Sequence, residues 1–473
     1  MENALIKNSS VECQTSQGFK IRAPILRLNR YMVTFEINNL ECIVQTSEVL
    51  NEFEIKLNDR TVYSGRAVIA NLVNTGTVFI CEATLDENWY DSSILSAKDV
   101  GAKMRSGFND FLEQWQRIYK VLPEFKVVMA DMQTFLMDLR LWMEHVELEI
   151  RSAPAREQPE MEQAALLEVG KSIVPAFDSM HQRLEEMSEE IEPELRPVHQ
   201  NFSKRQLHSL VMCAPFAYRT YHKPLGYAGD YEMVNMMMRN PFEGNSLYAK
   251  VVNLWFISQW PSEAHRNRVK YLKERLTVET ARMVRKGKPL KIFNLGCGPA
   301  KEIQEFIADT ALADNAEFTL LDFNKETIEY TGGILQGLKR QYYRKTSLQF
   351  HKKSVAHVLK EGSKGGFGPP ENKFDYIYCA GLFDYLSDQT CKQLMNVFYD
   401  RLAPGGLLVA TNVDDCKPFR HMLEFVLDWH LIYRDQKGGA ALIPNRVAPD
   451  ERSVKKDPTE VNVFIEARKP EHG

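Results

Sequence analysis

The sequence has no pair of cysteines at C-x-x-C spacing. Its eight cysteines, at positions 13, 42, 81, 213, 297, 379, 391 and 416, are scattered, with no histidine nearby at metal-ligand spacing. This excludes a zinc ribbon or a dithiol redox motif, and it points to reduced thiols in a cytoplasmic protein with no metal. Long hydrophobic runs are missing too. "VVNLWFISQW" and "LVMCAPFAY" fall short of the roughly 20 apolar residues that a membrane helix needs, so no membrane span is expected. The first residues, "MENALIKNSSVECQTSQG", lack the basic start and apolar stretch of a secretory signal, and export is not expected. Neither sign of charge dominates: 59 Lys and Arg stand against 63 Asp and Glu, for a net −4. A near-neutral chain has no global attraction to nucleic acid or anionic lipid. The local basic run "HRNRVKYLKERL" reads as the solvated face of a helix, and no nucleic-acid partner is expected.

What is present divides a chain of 473 residues, too long for one core, into four segments: 18–92, 99–212, 213–288 and 289–470. In 18–92, short β-branched and aromatic runs such as "YMVTFEI", "ECIVQTS" and "GRAVIANLV" are separated by turn residues and read as a small all-β barrel. Their order resembles a PilZ-type domain, a module that often binds cyclic di-GMP through R-x-x-x-R and D/N-x-S-x-x-G elements. Here the arginines are Arg22, Arg27 and Arg30, spaced five and three apart, and no D/N-x-S-x-x-G follows "VTFEIN". The motif is degenerate, so cyclic di-GMP is not expected and a structural or protein-binding role is.

From 99 to 212 the apolar period turns helical. In "FNDFLEQWQRIYKVLPEFKVVMADMQTFLMDLRLWMEHVELEI" apolar residues recur at spacings of three and four, with Pro123 expected to kink or break the helix. The stripe reads either as packing within a bundle or as the seam of a homodimer. "RSAPAREQPEME" reads as a mobile linker before further charged helices.

From 289 to 470 strands and helices alternate, as in a parallel, helix-covered sheet. "PLKIFNLGCGPAKEIQEFIAD" is a strand, a glycine turn and an amphipathic helix. "AEFTLLDFNKETIEYT" is a strand ending in Asp322, whose carboxylate suits paired ribose hydroxyls. "LQFHKKSVAHVL", "FDYIYCAGLFDYLSD" and "LAPGGLLVATNV" supply three more strands, and "VNVFIEA" a last one. Together these resemble class I S-adenosylmethionine-dependent methyltransferases, with a Rossmann-like, mostly parallel seven-stranded sheet. The resemblance implies that Gly296 and Gly298 lie under the methionine portion beside Asn294 and Cys297. It places Asp322 and Phe323 at the ribose, Ser354 and Val355 at adenine, and Ala380, Gly381 and Leu382 between cofactor and acceptor. Asp375 reads as structural.

The segment 213–288 holds "TYHKPLGYAGDYEMVNMM", dense in rings, glycines and charges, and reads as a lid over the acceptor. The expected roles are Tyr227 and Tyr231 as walls, Asp230 or Glu232 for the cofactor ammonium or a substrate donor, and Arg219 or His222 to orient the acceptor, with Lys223 beside them. Phe383 and Tyr385 join the acceptor side. So do Trp429, His430, Tyr433 and Arg434, on a helix in "FRHMLEFVLDWHLIYRD"; His222 and His430 are the candidate bases. Each has a structural alternative: Arg219 and Lys223 pairing with the acidic helices 185–194, the tyrosines as core rings, Asp230 as a helix cap. "KPLGYAGDYEMVNM" and "WHLIYRD" resemble a bacterial group of PilZ-fused proteins described as 3-hydroxypalmitic acid methyl ester biosynthesis proteins, which implies carboxyl O-methylation of a fatty-acid-derived signal. The readings that follow are O-methylation of a carboxylate or hydroxyl on a small molecule, N-methylation of a small metabolite, or a silent S-adenosylmethionine-binding sensor. The asparagine-proline-proline-aromatic motif of amino-methylating DNA enzymes is absent, with "AGLFDY" in its place.

Overall fold

The computed structural model describes residues 9–29, 31–37, 44–57, 60–74, 79–86, 121–363 and 373–471. Six strands come first: β1 (Ser9–Gln14), β2 (Lys20–Leu28), β3 (Met32–Ile37), β4 (Val49–Leu57), β5 (Arg60–Asn74) and β6 (Phe79–Leu85). They close antiparallel into a barrel in the order β1-β2-β3-β6-β5-β4. Alternation drives the closure: every second side chain of β1 is buried, and Val11, Ile25, Phe35, Phe53 and Tyr63 fill the interior. The barrel begins before residue 18, because β1 pairs with both β2 and β4 and seals the cylinder. Arg30 lies outside the described residues, whereas Arg22 points outward and pairs with Glu12 at 3.5 Å.

A helical layer follows: α1 (Pro123–Ser152), α2 (Gln158–Glu189), α3 (Arg196–Val211), α4 (Pro215–His222), α5 (Tyr231–Met238), α6 (Leu247–Ser258) and α7 (Trp260–Arg285). Pro123 starts α1 and does not kink it; in the first turn its missing N–H has no helical acceptor to lose. The part of the apolar stripe before it, 99–120, lies outside the described residues. "RSAPAREQPEME" is not a linker: only 153–157 separate the two long helices, and Pro159 falls in the first turn of α2. Phe125, Met129, Met132 and Leu136 of α1 share one core with Phe177 and Leu184 of α2 and Trp255 of α6. Leu141, Trp142 and Leu148 stay exposed.

The last unit contains β7 (Leu290–Leu295), α8 (Lys301–Asp309), β8 (Ala316–Asp322), α9 (Lys325–Gln341), β9 (Ser347–Lys352), α10 (Val355–Ser363), β10 (Phe374–Cys379), α11 (Asp388–Arg401), β11 (Leu402–Val413), α12 (Gln436–Ala440), β12 (Arg452–Lys456) and β13 (Asn462–Arg468). The seven strands lie in the order β12-β13-β11-β10-β7-β8-β9, parallel from β11 to β9, with an antiparallel hairpin at the other edge. This is the Rossmann-like, mostly parallel seven-stranded sheet. Asp375 is structural, accepting Lys291 N–H at 3.0 Å to lock β10 beside β7.

"WHLIYRD" is not helical. One widened helical turn at Met422–Val426 ends at Asp428, in the left-handed region at φ +48°. The chain then runs extended because Ile432 N–H donates to Asp384 O at 2.7 Å and Arg434 N–H to Val413 O at 2.9 Å. Among the described residues no helix is long and apolar enough to cross a membrane.

Candidate active site

The strand order reverses between β7 and β10, and such a switch point leaves a crevice at the carboxyl ends of the strands. A cleft with about 1150 Å³ of empty space, part of it open to solvent, lies there. Its floor is the turn after β7. Gly296 and Gly298 take φ of +70° and +50°, and a Cβ added at Gly298 would meet nothing within 4 Å, so backbone faces open space. Gly296 N–H and Cys297 N–H donate to Leu321 O at 2.8 and 3.0 Å, tying the turn to the end of β8.

Asp322 ends β8, buried, and its carboxylate accepts Gly298 N–H at 3.3 Å and Asn324 N–H at 3.0 Å. Burial raises its pKa to about 6 despite these bonds. Asn294, Phe323, Val355, Ala380, Gly381 and Leu382 also line the cleft. Ser354 does not: its hydroxyl bonds His357 Nδ1 at 2.8 Å and caps the start of α10.

The stretch "TYHKPLGYAGDYEMVNMM" splits in two. Tyr227 and Tyr231 reach the cleft, Tyr227 against the Phe323 ring at 4.8 Å and Tyr231 stacked on Tyr330 at 4.4 Å. The charged residues turn away. Asp230 caps α5, accepting Met233 N–H at 2.9 Å, and takes a forked pair from Arg219 at 2.9 and 3.0 Å. Both oxygens of Asp230 are engaged within the fold, neither residue lines the cleft, and Arg219 pairs with Asp230 and not with 185–194. Glu232 bonds Asn235 and Arg239. His222 packs on Tyr218 at 4.2 Å, outside the cleft. Lys223 is buried in the left-handed position that ends α4, donating to Leu427 O at 3.2 Å; burial holds its ammonium well below the usual lysine range.

Asp230→Ala is therefore expected to cost about 2–3 kcal/mol of stability in urea unfolding, by loss of the cap and of a half-buried pair. An unchanged midpoint would return this carboxylate to ligand chemistry.

The later cluster also divides. Trp429 and Tyr385 line the cleft, joined by the indole N–H donating to the tyrosine oxygen at 3.0 Å. Phe383 is wholly buried in the sheet's core. His430 is buried and does not line the cleft, and its backbone carbonyl accepts the Ser47 hydroxyl of the barrel at 2.8 Å. Arg434 binds Phe383 O, Leu386 O and Asn412 Oδ1 at 2.6–2.8 Å, a brace for the loop after β10. Tyr433 lines a second, small and mostly apolar pocket that shares His265, Val413, Trp429 and Leu431 with the cleft.

Among the lining residues that sequence reasoning missed are Arg268, His265 and Gln45. Arg268 of α7 is buried with Nη1 unpartnered among the described residues, and a Cβ on Gly381 would meet that atom at 2.9 Å. Asp384 and Glu302 support its charge from a distance beyond an ion pair. His265, one turn earlier, donates from Nδ1 to Pro261 O at 2.9 Å, which leaves Nε2 as its lone-pair nitrogen. Burial and the Arg268 charge push its pKa down to about 3. Gln45 comes from the barrel.

No family model matches the chain, and no curated protein matches it. Solved structures do. One described as a possible exported protein from Bordetella parapertussis is 15% identical, over 54% of this chain and 86% of that one, with a TM-score of 0.41. Magnesium protoporphyrin IX methyltransferase from Synechocystis PCC 6803, with bound SAH, is 11% identical over 45% and 87%, with a TM-score of 0.30. The N-methyltransferase NodS from Bradyrhizobium japonicum WM9, in complex with S-adenosyl-l-homocysteine, is 14% identical over 51% and 98%, again at 0.30. Scores of this size decide nothing about this chain, whose fold rests on its own strand order.

Proposed function

We propose that the cleft binds S-adenosylmethionine and that the chain moves its methyl group to a carboxylate oxygen of a small acceptor with an apolar tail. The observation that carries the cofactor is the buried Asp322 carboxylate facing a side-chain-free glycine turn at the sheet's switch point. The residues present fit that molecule. Asp322 would accept from the ribose hydroxyls, the turn at Gly296–Gly298 would lie under the methionine portion, and Phe323 and Val355 would flank adenine. The buried Asn294 Oδ1, unpartnered among the described residues, offers an acceptor to the ammonium. When bound, S-adenosylmethionine supplies a sulfonium methyl that an oxygen lone pair displaces in line, the carbon–sulfur electron pair staying on sulfur.

The acceptor's class follows from the cleft's charge and shape. Arg268 offers a guanidinium whose Nη1 is unpartnered among the described residues, which suits a carboxylate and repels a cationic amine. His265 is too weak a base to activate a hydroxyl, whereas a carboxylate needs no deprotonation. The apolar side chains beside Trp429 and Leu431 continue from the cleft and offer a surface against which an apolar tail would begin. Carboxyl O-methylation also agrees with the resemblance to the 3-hydroxypalmitic acid methyl ester group. The space between Tyr227–Gly229 and Ala380–Leu382 is open, which favours turnover over a silent binding fold.

Calorimetry with S-adenosylhomocysteine tests the cofactor half. Ribose hydroxyls donate to the ionised carboxylate, so protons compete below the Asp322 pKa of about 6. Affinity is expected to be flat above pH 7 and to fall by up to about tenfold per unit below pH 6. Asp322→Ala should lose about 1–3 kcal/mol of binding and flatten the profile. A wild-type affinity that ignores pH from 5 to 8 would sink the ribose assignment.

A further inference from the structure

The barrel does not stand apart from the cleft. Its segment 44–48 lies between β3 and β4 and is held on three sides by the rest of the chain. Thr46 N–H donates to Tyr385 O at 3.4 Å, the Ser47 hydroxyl to His430 O at 2.8 Å, and Val49 N–H to Gly226 O at 2.7 Å. These partners lie in the loop after β10, the extended 428–435 run and the turn before α5. Glu48 shapes the segment from within, fully buried, accepting Gln45 N–H at 3.0 Å and both the N–H and hydroxyl of Ser16 at 2.7 and 2.6 Å. The result presents one side chain to the cleft. Gln45 is 4% exposed, lines the same chamber as Arg268, and its Nε2 has no hydrogen-bond partner among the described residues. A buried amide without a partner costs free energy, which a ligand accepting from it would restore.

We infer that Gln45 is an acceptor-binding residue: its carboxamide N–H donates to the acceptor carboxylate that Arg268 pairs with, so the barrel is a wall of the active site. This rests on the carboxylate reading above. A barrel in this role needs no second-messenger ligand of its own. Its outer arginines are then irrelevant to turnover, and its interior only has to hold 44–48 in place.

The test uses the full chain as wild type, Gln45→Ala and Gln45→Glu. Each is titrated with S-adenosylhomocysteine by calorimetry and assayed for transfer of a tritiated methyl group from S-adenosylmethionine to hexadecanoate as the probe. The cofactor-product affinity reports on the fold as well as the cofactor site, and all three proteins are expected to agree within about threefold. In Gln45→Ala the KM for hexadecanoate is expected to rise about tenfold or more, with kcat within about threefold. Gln45→Glu sets a second carboxylate against the acceptor's and is expected to lose transfer. Equal KM in wild type and Gln45→Ala overturns the role of Gln45 and leaves the methyltransferase reading standing. A drop in S-adenosylhomocysteine affinity in Gln45→Ala beyond about tenfold overturns it in favour of the cofactor side. A wild type that binds S-adenosylhomocysteine yet leaves hexadecanoate unmethylated overturns the carboxylate reading and Gln45's role with it, and one that binds neither overturns the proposed function as a whole.

Discussion

Asp428→Ala is expected to lower stability by about 3–5 kcal/mol, because it leaves buried cations without their counter-ion. Asp428 is fully buried, with Arg66 Nη1 of β5 at 2.8 Å and Lys204 Nζ of α3 at 3.2 Å. Burial alone would raise its pKa. Lys204, Arg66 and the nearby Lys223 outweigh that and hold it far below the usual carboxylate range. For a carboxylate depressed in the folded state, the contribution is fully present above the unfolded value of about 4 and fades as pH falls below it. Arg66 also donates to Tyr221 O at 2.6 Å, so the cluster joins the barrel, the helical layer and the 428–435 run. Urea unfolding at pH 7 measures the cost; protection of segment 44–48 from hydrogen exchange is expected to fall with it. A midpoint unchanged from wild type would mean that the barrel docks without the help of this cluster.

The contrast between Asp322 and Asp428 shows what the sequence could reveal. Asp322 was legible because a strand, a glycine turn and a second strand-end carboxylate are local patterns, and the chain order of the sheet repeats them at regular spacing. Asp428 directly precedes a stretch that drew attention for its rings and charges, yet its partners are on β5 and α3, and no spacing rule connects them. The same holds for Gln45, whose segment is held by Tyr385 and His430, both far along the chain. The density of groups in "TYHKPLGYAGDYEMVNMM" does not tell which of them line the cleft. Tyr227 and Tyr231 face the cleft, while Asp230 pairs with Arg219 and caps a helix. Charge beside rings reads alike whether it meets a ligand or a neighbouring helix.

Arg268 could have been found. It was read with the solvated face of "HRNRVKYLKERL", but one helical turn separates it from Ala264 and from Leu272, both buried, and Leu276 continues the row. A charge in an apolar row of helical period is turned inward, and an inward charge needs a partner. Arg268 Nη1 has none among the described residues. Arg268→Met is expected to lower kcat/KM for hexadecanoate by about a hundredfold to a thousandfold, the cost of truncating one member of a buried, hydrogen-bonded charge pair. Arg268→Lys should recover part of that, since it keeps the charge and loses the planar fork. Stability should move the other way. In the ligand-free chain the guanidinium is buried with an unpartnered N–H, so a methionine of similar length should leave the melting midpoint equal or raise it. Activity lost while stability holds or rises is the mark of a group kept for its ligand. A variant that unfolds earlier than wild type would show Arg268 to be a structural ion held by Asp384 and Glu302, and the acceptor's charge would then have to be met by another group in the cleft.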